Sequence, residues 1–191
     1  MRNYLTDEEK IQEGRITVTN LGDPEIRELA AHRGLGPQTV DEGGRLLVQA
    51  EEAYQQNSDA EKAQLNATEV AGEVMEKVEG KFSMIRSLLS EAFREDDAAK
   101  RDLGLDTAQE RKTANVILQV KSLYNTLLSR SDLLKIAEDK VRITQNEIQE
   151  CKQELEELIQ AEAEQQKAIG ENQHLTQVKK QAVGELHDFT R

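Results

Sequence analysis

The sequence predicts an all-α fold, an elongated antiparallel helical bundle with long coiled-coil-like helices, and three observations carry that expectation. Ala, Glu, Gln, Leu, Lys and Arg, the strong helix formers, dominate the composition. Two prolines in 191 residues leave long stretches without a backbone breaker. Apolar residues also recur at three- and four-residue spacing over most of the chain, the period of a helix with one buried face.

Residues 1–36 read as an irregular N-terminal segment with short helices. Thr6 with Glu9 has capping-box spacing, so a helix is expected to open there. Asp23 followed by Pro24 is a second start, with Asp as N-cap and Pro at the first helical position. The stretch Gly34-Leu35-Gly36-Pro37 is a strong stop.

A first helical unit is expected over residues 37–102. Val40, Leu47, Ala50 and Tyr54 supply its opening face, and Ser58-Asp59 is expected to cap a second, long helix reaching about residue 97. That helix carries Ala60, Ala63, Ala67, Val70 and Val74, then Val78, Phe82, Ile85, Leu89 and Ala92 after a one-position stutter. Its small residues, Ala71 and Gly72 among them, suit close approach of helix axes. Gly43 and Gly44 lower helix propensity by about 1 kcal/mol each, so they mark either a contact that admits only backbone or a local kink.

A second unit is expected over residues 103–191, the two units sharing one bundle. Leu103-Gly104-Leu105 breaks the chain and Asp106-Thr107 is expected to cap the next helix, whose face is Val116, Ile117, Val120, Leu123, Tyr124 and Leu127. Ser131-Asp132 marks a turn or recapped kink. From Leu134 through Ala137, Val141, Thr144, Ile148, Cys151, Leu155 and Leu158 the three-four alternation runs without a miss. Gly170 is expected to interrupt before a final return helix bearing Leu175, Val178, Ala182, Leu186 and Phe189.

Residues from Arg33 align with residues from Leu103 at an offset of 70, placing Gly34 on Gly104, Leu35 on Leu105, Gln49 on Gln119 and Tyr54 on Tyr124. This pattern suggests an internal duplication. With PEIRELAAHRGLG and AFREDDAAKRDLGL, the chain resembles uncharacterised bacterial all-helical bundle proteins built on a repeated unit of Leu-Gly-Leu, apolar helix, Tyr and long polar helix. The resemblance implies a bundle fold and carries no activity.

Charge narrows the function. Lys and Arg total 25 against 37 Asp and Glu, a net charge of −12. A nucleic-acid surface needs clustered cations, and docking on anionic lipid needs them too, so neither partner is expected. The first residues, MRNYLTDEEK, lack the apolar core of a signal peptide, and no run approaches the ~18 apolar residues of a membrane span. A cytoplasmic location is the expectation.

Chemistry-bearing motifs are sparse. Glu171 and His174 have the Glu-x-x-His spacing of di-iron helices, yet no second pair exists, so two solvated polar side chains are the better reading. One cysteine, Cys151, cannot build a thiolate cluster; its seam position suggests a small buried hydrophobe. No catalytic, cofactor-binding or metal-ligating residue is assigned, and no cofactor is expected.

The leading expectation is therefore a non-enzymatic structural or assembly protein that self-associates. An alternative is an adaptor that binds another protein through its N-terminal segment or an acidic helix face, and a lesser one is a ferritin-like metal-binding bundle. The interface residues expected are Tyr4, Leu5, Cys151, Leu155 and Leu158.

Overall fold

A computed structural model describes residues 5–33 and 35–191; Tyr4 and Gly34 lie outside the described residues. Among them are seven α-helices and no strand, so the chain is all-α. In order these are α1 (Asp7–Gly22), α2 (Pro24–Ala31), α3 (Pro37–Ala92), α4 (Asp97–Asp102), α5 (Thr113–Ser129), α6 (Ser131–Val141) and α7 (Gln145–Phe189). No helix among the described residues is long and apolar enough to cross a membrane.

Two local starts behave as expected. The Thr6 hydroxyl accepts from the Glu9 backbone N–H at 3.2 Å while the Glu9 carboxylate accepts from the Thr6 N–H at 2.7 Å, a complete capping box. Asp23 accepts from the backbone of Glu25 at 2.9 Å and caps α2. The helix that Thr6 opens runs for 16 residues, well beyond the short helix expected.

Other boundaries move. Ser58-Asp59 does not cap a new helix, because α3 continues through it for 56 residues. Gly170 does not interrupt α7, which runs unbroken for 45 residues. Asp106-Thr107 does not start α5; the Thr107 hydroxyl donates to the Gly104 carbonyl at 2.9 Å and belongs to a turn. The long seam from Leu134 is broken where Arg142 takes a left-handed φ of 60°. Thr144 is not a seam residue, since its hydroxyl accepts from the Glu147 N–H at 3.2 Å and opens α7.

The chain forms two compact units, residues 1–65 with 167–191 and residues 66–166. Both boundaries fall inside α3 and α7 rather than at the Gly-rich breaks. In the second unit, Phe82, Ile85 and Leu89 of α3 meet Val120, Tyr124 and Leu127 of α5 and Ile148, Leu155 and Leu158 of α7. The Phe82 and Tyr124 rings pack edge to face, centroids 6.5 Å apart. Arg86 ties down the following turn by donating to the Gly104 and Leu105 carbonyls, each at 3.1 Å. Lys140 donates to the Ala92 carbonyl at 2.8 Å and finishes the end of α3.

The first unit has a much smaller core of Ile11, Leu46, Ala50, Val183 and Leu186. Here α3 and α7 run antiparallel, with Gly43 near Phe189 and Asn57 bonded to Asn172, and α1 lies alongside them, in contact from Asp7 with Lys179 to Val18 near Gly43. Close approach is built on glycine. A Cβ at Gly14 would stand 2.6–2.8 Å from three atoms of the Leu186 side chain. One at Gly43 would stand 2.6 Å from Phe189 Cε1 and 3.2 Å from Val18 Cγ2. Gly44 faces open space, so of the two adjacent glycines one is a packing point.

Candidate binding groove

The first unit is stitched by polar contacts as well as by its small core. Asn57, 1% exposed, donates from Nδ2 to Asn172 Oδ1 and Thr176 Oγ1, both at 3.0 Å. Asn172 donates in turn to Gln64 Oε1 at 2.6 Å. A buried amide costs free energy unless it is satisfied, so this ladder fixes which turn of α3 faces which turn of α7. Helix α1 is held on one flank of the pair by Arg15 to Glu51 at 2.7 Å and by the Tyr54 hydroxyl donating to Glu8. Lys179 of α7 lies 5.7 Å over the Tyr54 ring.

On α3 those contacts use the stripe through Leu46, Ala50, Tyr54 and Asn57. A neighbouring stripe, Gln49, Ala53, Gln56 and Ala60, borders an open channel against Val178, Ala182 and Leu175 of α7. The channel consists of two adjoining hollows of about 320 and 440 Å³ that share Gln56. Ala53 and Ala60 are buried at its floor, where small side chains leave room beside the helix axes. Four carboxylates line the channel, Glu52 and Asp59 on α3 and Glu171 and Glu185 on α7, and no lysine or arginine does. Asp59 pairs with exposed Lys62 at 3.5 Å; Glu52, Glu171 and Glu185 form no ion pair among the described residues.

The second unit holds a polar cluster around Glu154. Glu154 Oε1 accepts from Lys81 at 2.7 Å and Lys77 at 3.0 Å, and its Oε2 is buried without a partner. Burial alone would push this carboxyl up, but the hydrogen bonds and charges of the two lysines outweigh it and hold it below the usual carboxylate range. The same hydrogen bond raises Lys81. One turn away, burial raises the thiol of Cys151 and the phenol of Tyr124 above their ordinary values. Both groups are therefore held protonated, which suits packing better than nucleophilic attack.

The residues expected at an interface fall as follows. Leu5 is half-buried and precedes α1; Tyr4 lies outside the described residues. Cys151, Leu155 and Leu158 are buried in the second unit's own core, occupied by α3 and α5 side chains of the same chain, so they offer no free surface. Glu171 and His174 are both exposed on α7. Among the described residues, no three of His, Cys, Asp and Glu are placed to hold a metal ion.

The groove is not evident from the apolar periodicity. The spacing puts Ala63 and Val70 on the buried face, yet Ala63 is exposed and Val70 is 43% exposed. The buried stripe runs instead through Asn57 and Ala60 to Gln64, and its polar members hide it. No family model, no curated protein and no solved structure matches the chain.

Proposed function

We propose that the chain is a non-enzymatic helical adaptor that binds another protein through its first unit. One observation carries this reading: the α3–α7 pair there is covered by α1 on one flank and stands open on the other. Bundles bury their apolar faces by surrounding each helix pair, and the vacant flank is where a further helix would complete the layer. The small core of this unit agrees with an incomplete bundle, since apolar burial is the main stabilising term. The second unit, of similar length, has a core four times as populous among the described residues.

Amide hydrogen exchange on the untagged chain tests this. Residues 49–63 and 171–185 are expected to exchange much faster than residues 78–89 and 148–158. Uniform protection would remove the reason for invoking a partner.

A second reading, self-association, is favoured by α2, an amphipathic helix with no buried residue, whose Ile26 and Leu29 are 40% and 68% exposed. Light scattering over a concentration series separates the readings. A constant monomer supports the adaptor; growth to defined species that Ile26→Ser with Leu29→Ser abolishes supports assembly through α2.

A further inference from the structure

The groove also specifies the chemistry of its occupant. From Gln49 to Ala63 it follows α3 for about four turns, roughly 21 Å at 1.5 Å per residue. Its floor is made of alanines with Val178 and Leu175, bordered by the amides of Gln49, Gln56 and Gln181, which suits the edge of a helix carrying medium-sized apolar side chains. Both walls are acidic: Glu52 stands on α3 and Glu171 and Glu185 on α7, none of them in an ion pair among the described residues. Arg45 feels the charge of Glu185, but its guanidinium is hydrogen-bonded to Glu42 at 3.0 and 2.5 Å and to Gln49 at 2.9 Å, so no ion pair closes that wall.

We propose that this groove takes a four-turn amphipathic helix of a partner protein, with an apolar stripe on the floor and Lys or Arg on both flanks facing the two acidic walls. The inference rests on the adaptor reading and adds to it the partner's chemistry. A second copy of the chain is disfavoured as occupant by its net charge of −12, which would set like charge against like. A basic helix gains on both counts, apolar contact along the floor and complementary charge along the rims. Arginine suits the rims better than lysine, because its planar fork can hold a glutamate through two hydrogen bonds.

Three designed peptides of about 15 residues test it on the full chain, with binding read by fluorescence anisotropy and peptide helicity by circular dichroism. One has Leu and Ala at helical three-four spacing flanked by Arg, one has the same composition scrambled, and one has Glu for Arg. The first is expected to bind and become helical, and to weaken in about 0.5 M salt, where exposed charges are screened. The charge-reversed triple variant Glu52→Lys, Glu171→Lys, Glu185→Lys should lose about tenfold or more in affinity. These surface changes leave the Asn57 ladder intact, and unchanged helicity of the variant would show that it folds.

Equal binding of the scrambled peptide would reduce the effect to bulk charge and overturn the groove. Equal binding of the Glu peptide, or insensitivity to the triple variant, would overturn the charge match. No binding by a chain that is monomeric and exchanges rapidly at 49–63 would overturn the partner chemistry while leaving the adaptor reading standing. Failure together with uniform exchange protection would remove both.

Discussion

Replacing Gly43 and Gly44 one at a time by alanine isolates a single packing contact. Both residues sit in the same turn of α3, so each gains about 1 kcal/mol of helix propensity on becoming alanine. Their surroundings differ. At Gly44 the new methyl group meets no atom within 4 Å, so the propensity gain should appear undiminished. At Gly43 it would stand 2.6 and 2.7 Å from the tip of the Phe189 ring and 3.2 Å from Val18. Overpacking of that kind costs about 1–3 kcal/mol. The tip of one ring can swing aside, so the lower half of the range applies if Phe189 yields.

Gly44→Ala is therefore expected to stabilise by about 1 kcal/mol, and Gly43→Ala to be neutral or destabilising by up to about 2 kcal/mol. In a chain of this length each kcal/mol moves the midpoint by about 2–4 °C. Urea and thermal unfolding followed by circular dichroism, with a probe in the first unit, would read the difference. Gly14→Ala extends the series, because the displaced atoms include Leu186 Cγ in a fully buried side chain with less freedom to move. Equal stabilisation by Gly43→Ala and Gly44→Ala would refute the claim that Gly43 marks a close approach.

Three further outcomes are expected. Asn57→Ala should cost about 1–3 kcal/mol by leaving Asn172 and Thr176 without their buried donor; a loss no larger than that of an exposed Asn→Ala would show the ladder carries nothing. The carboxyl of Glu154 is lowered in the folded chain, so its contribution is present above the unfolded carboxylate pKa and is lost as pH falls through the folded value. Glu154→Gln should then flatten the acid limb of the stability curve from the ordinary carboxylate range downward, and superimposable limbs would refute the coupling. Cys151, buried with a raised thiol pKa, should react with a thiol reagent only as fast as the second unit opens, so modification in native buffer at the rate of a free thiol would place it outside the core.

Features set within a few residues are legible in the sequence alone. The Thr6–Glu9 capping box, the Asp23-Pro24 start and the break at Gly104, which takes a φ of +64°, depend on local backbone needs. Signals of the same kind fail where tertiary contacts outweigh them. Ser58-Asp59 has cap chemistry, but Asn57 beside it is bonded to Asn172 and Thr176, which holds that turn helical. Asp106-Thr107 looks like an N-cap, but Arg86 draws the carbonyls of this stretch toward itself and the helix starts only at Thr113. The αL turn at Arg142 has no glycine or asparagine to announce it.

The groove is illegible for a different reason. Periodicity identifies an apolar face without weighing how much surface each residue removes from water, and it counts Ala60 the same as Ile85. Alanine buries far less than leucine, isoleucine or phenylalanine, so equal stripes give unequal cores. In the second unit, Phe82, Ile85 and Leu89 close the space between helices with their own side chains. In the first, Ala50, Ala53 and Ala60 alternate with Asn57, and polar bonds set the register while little volume is filled. A seam of that composition determines how α3 and α7 align, yet it leaves room alongside them. Small residues at the floor and carboxylates at the rim, three of which form no ion pair among the described residues, leave this flank of the helix pair open.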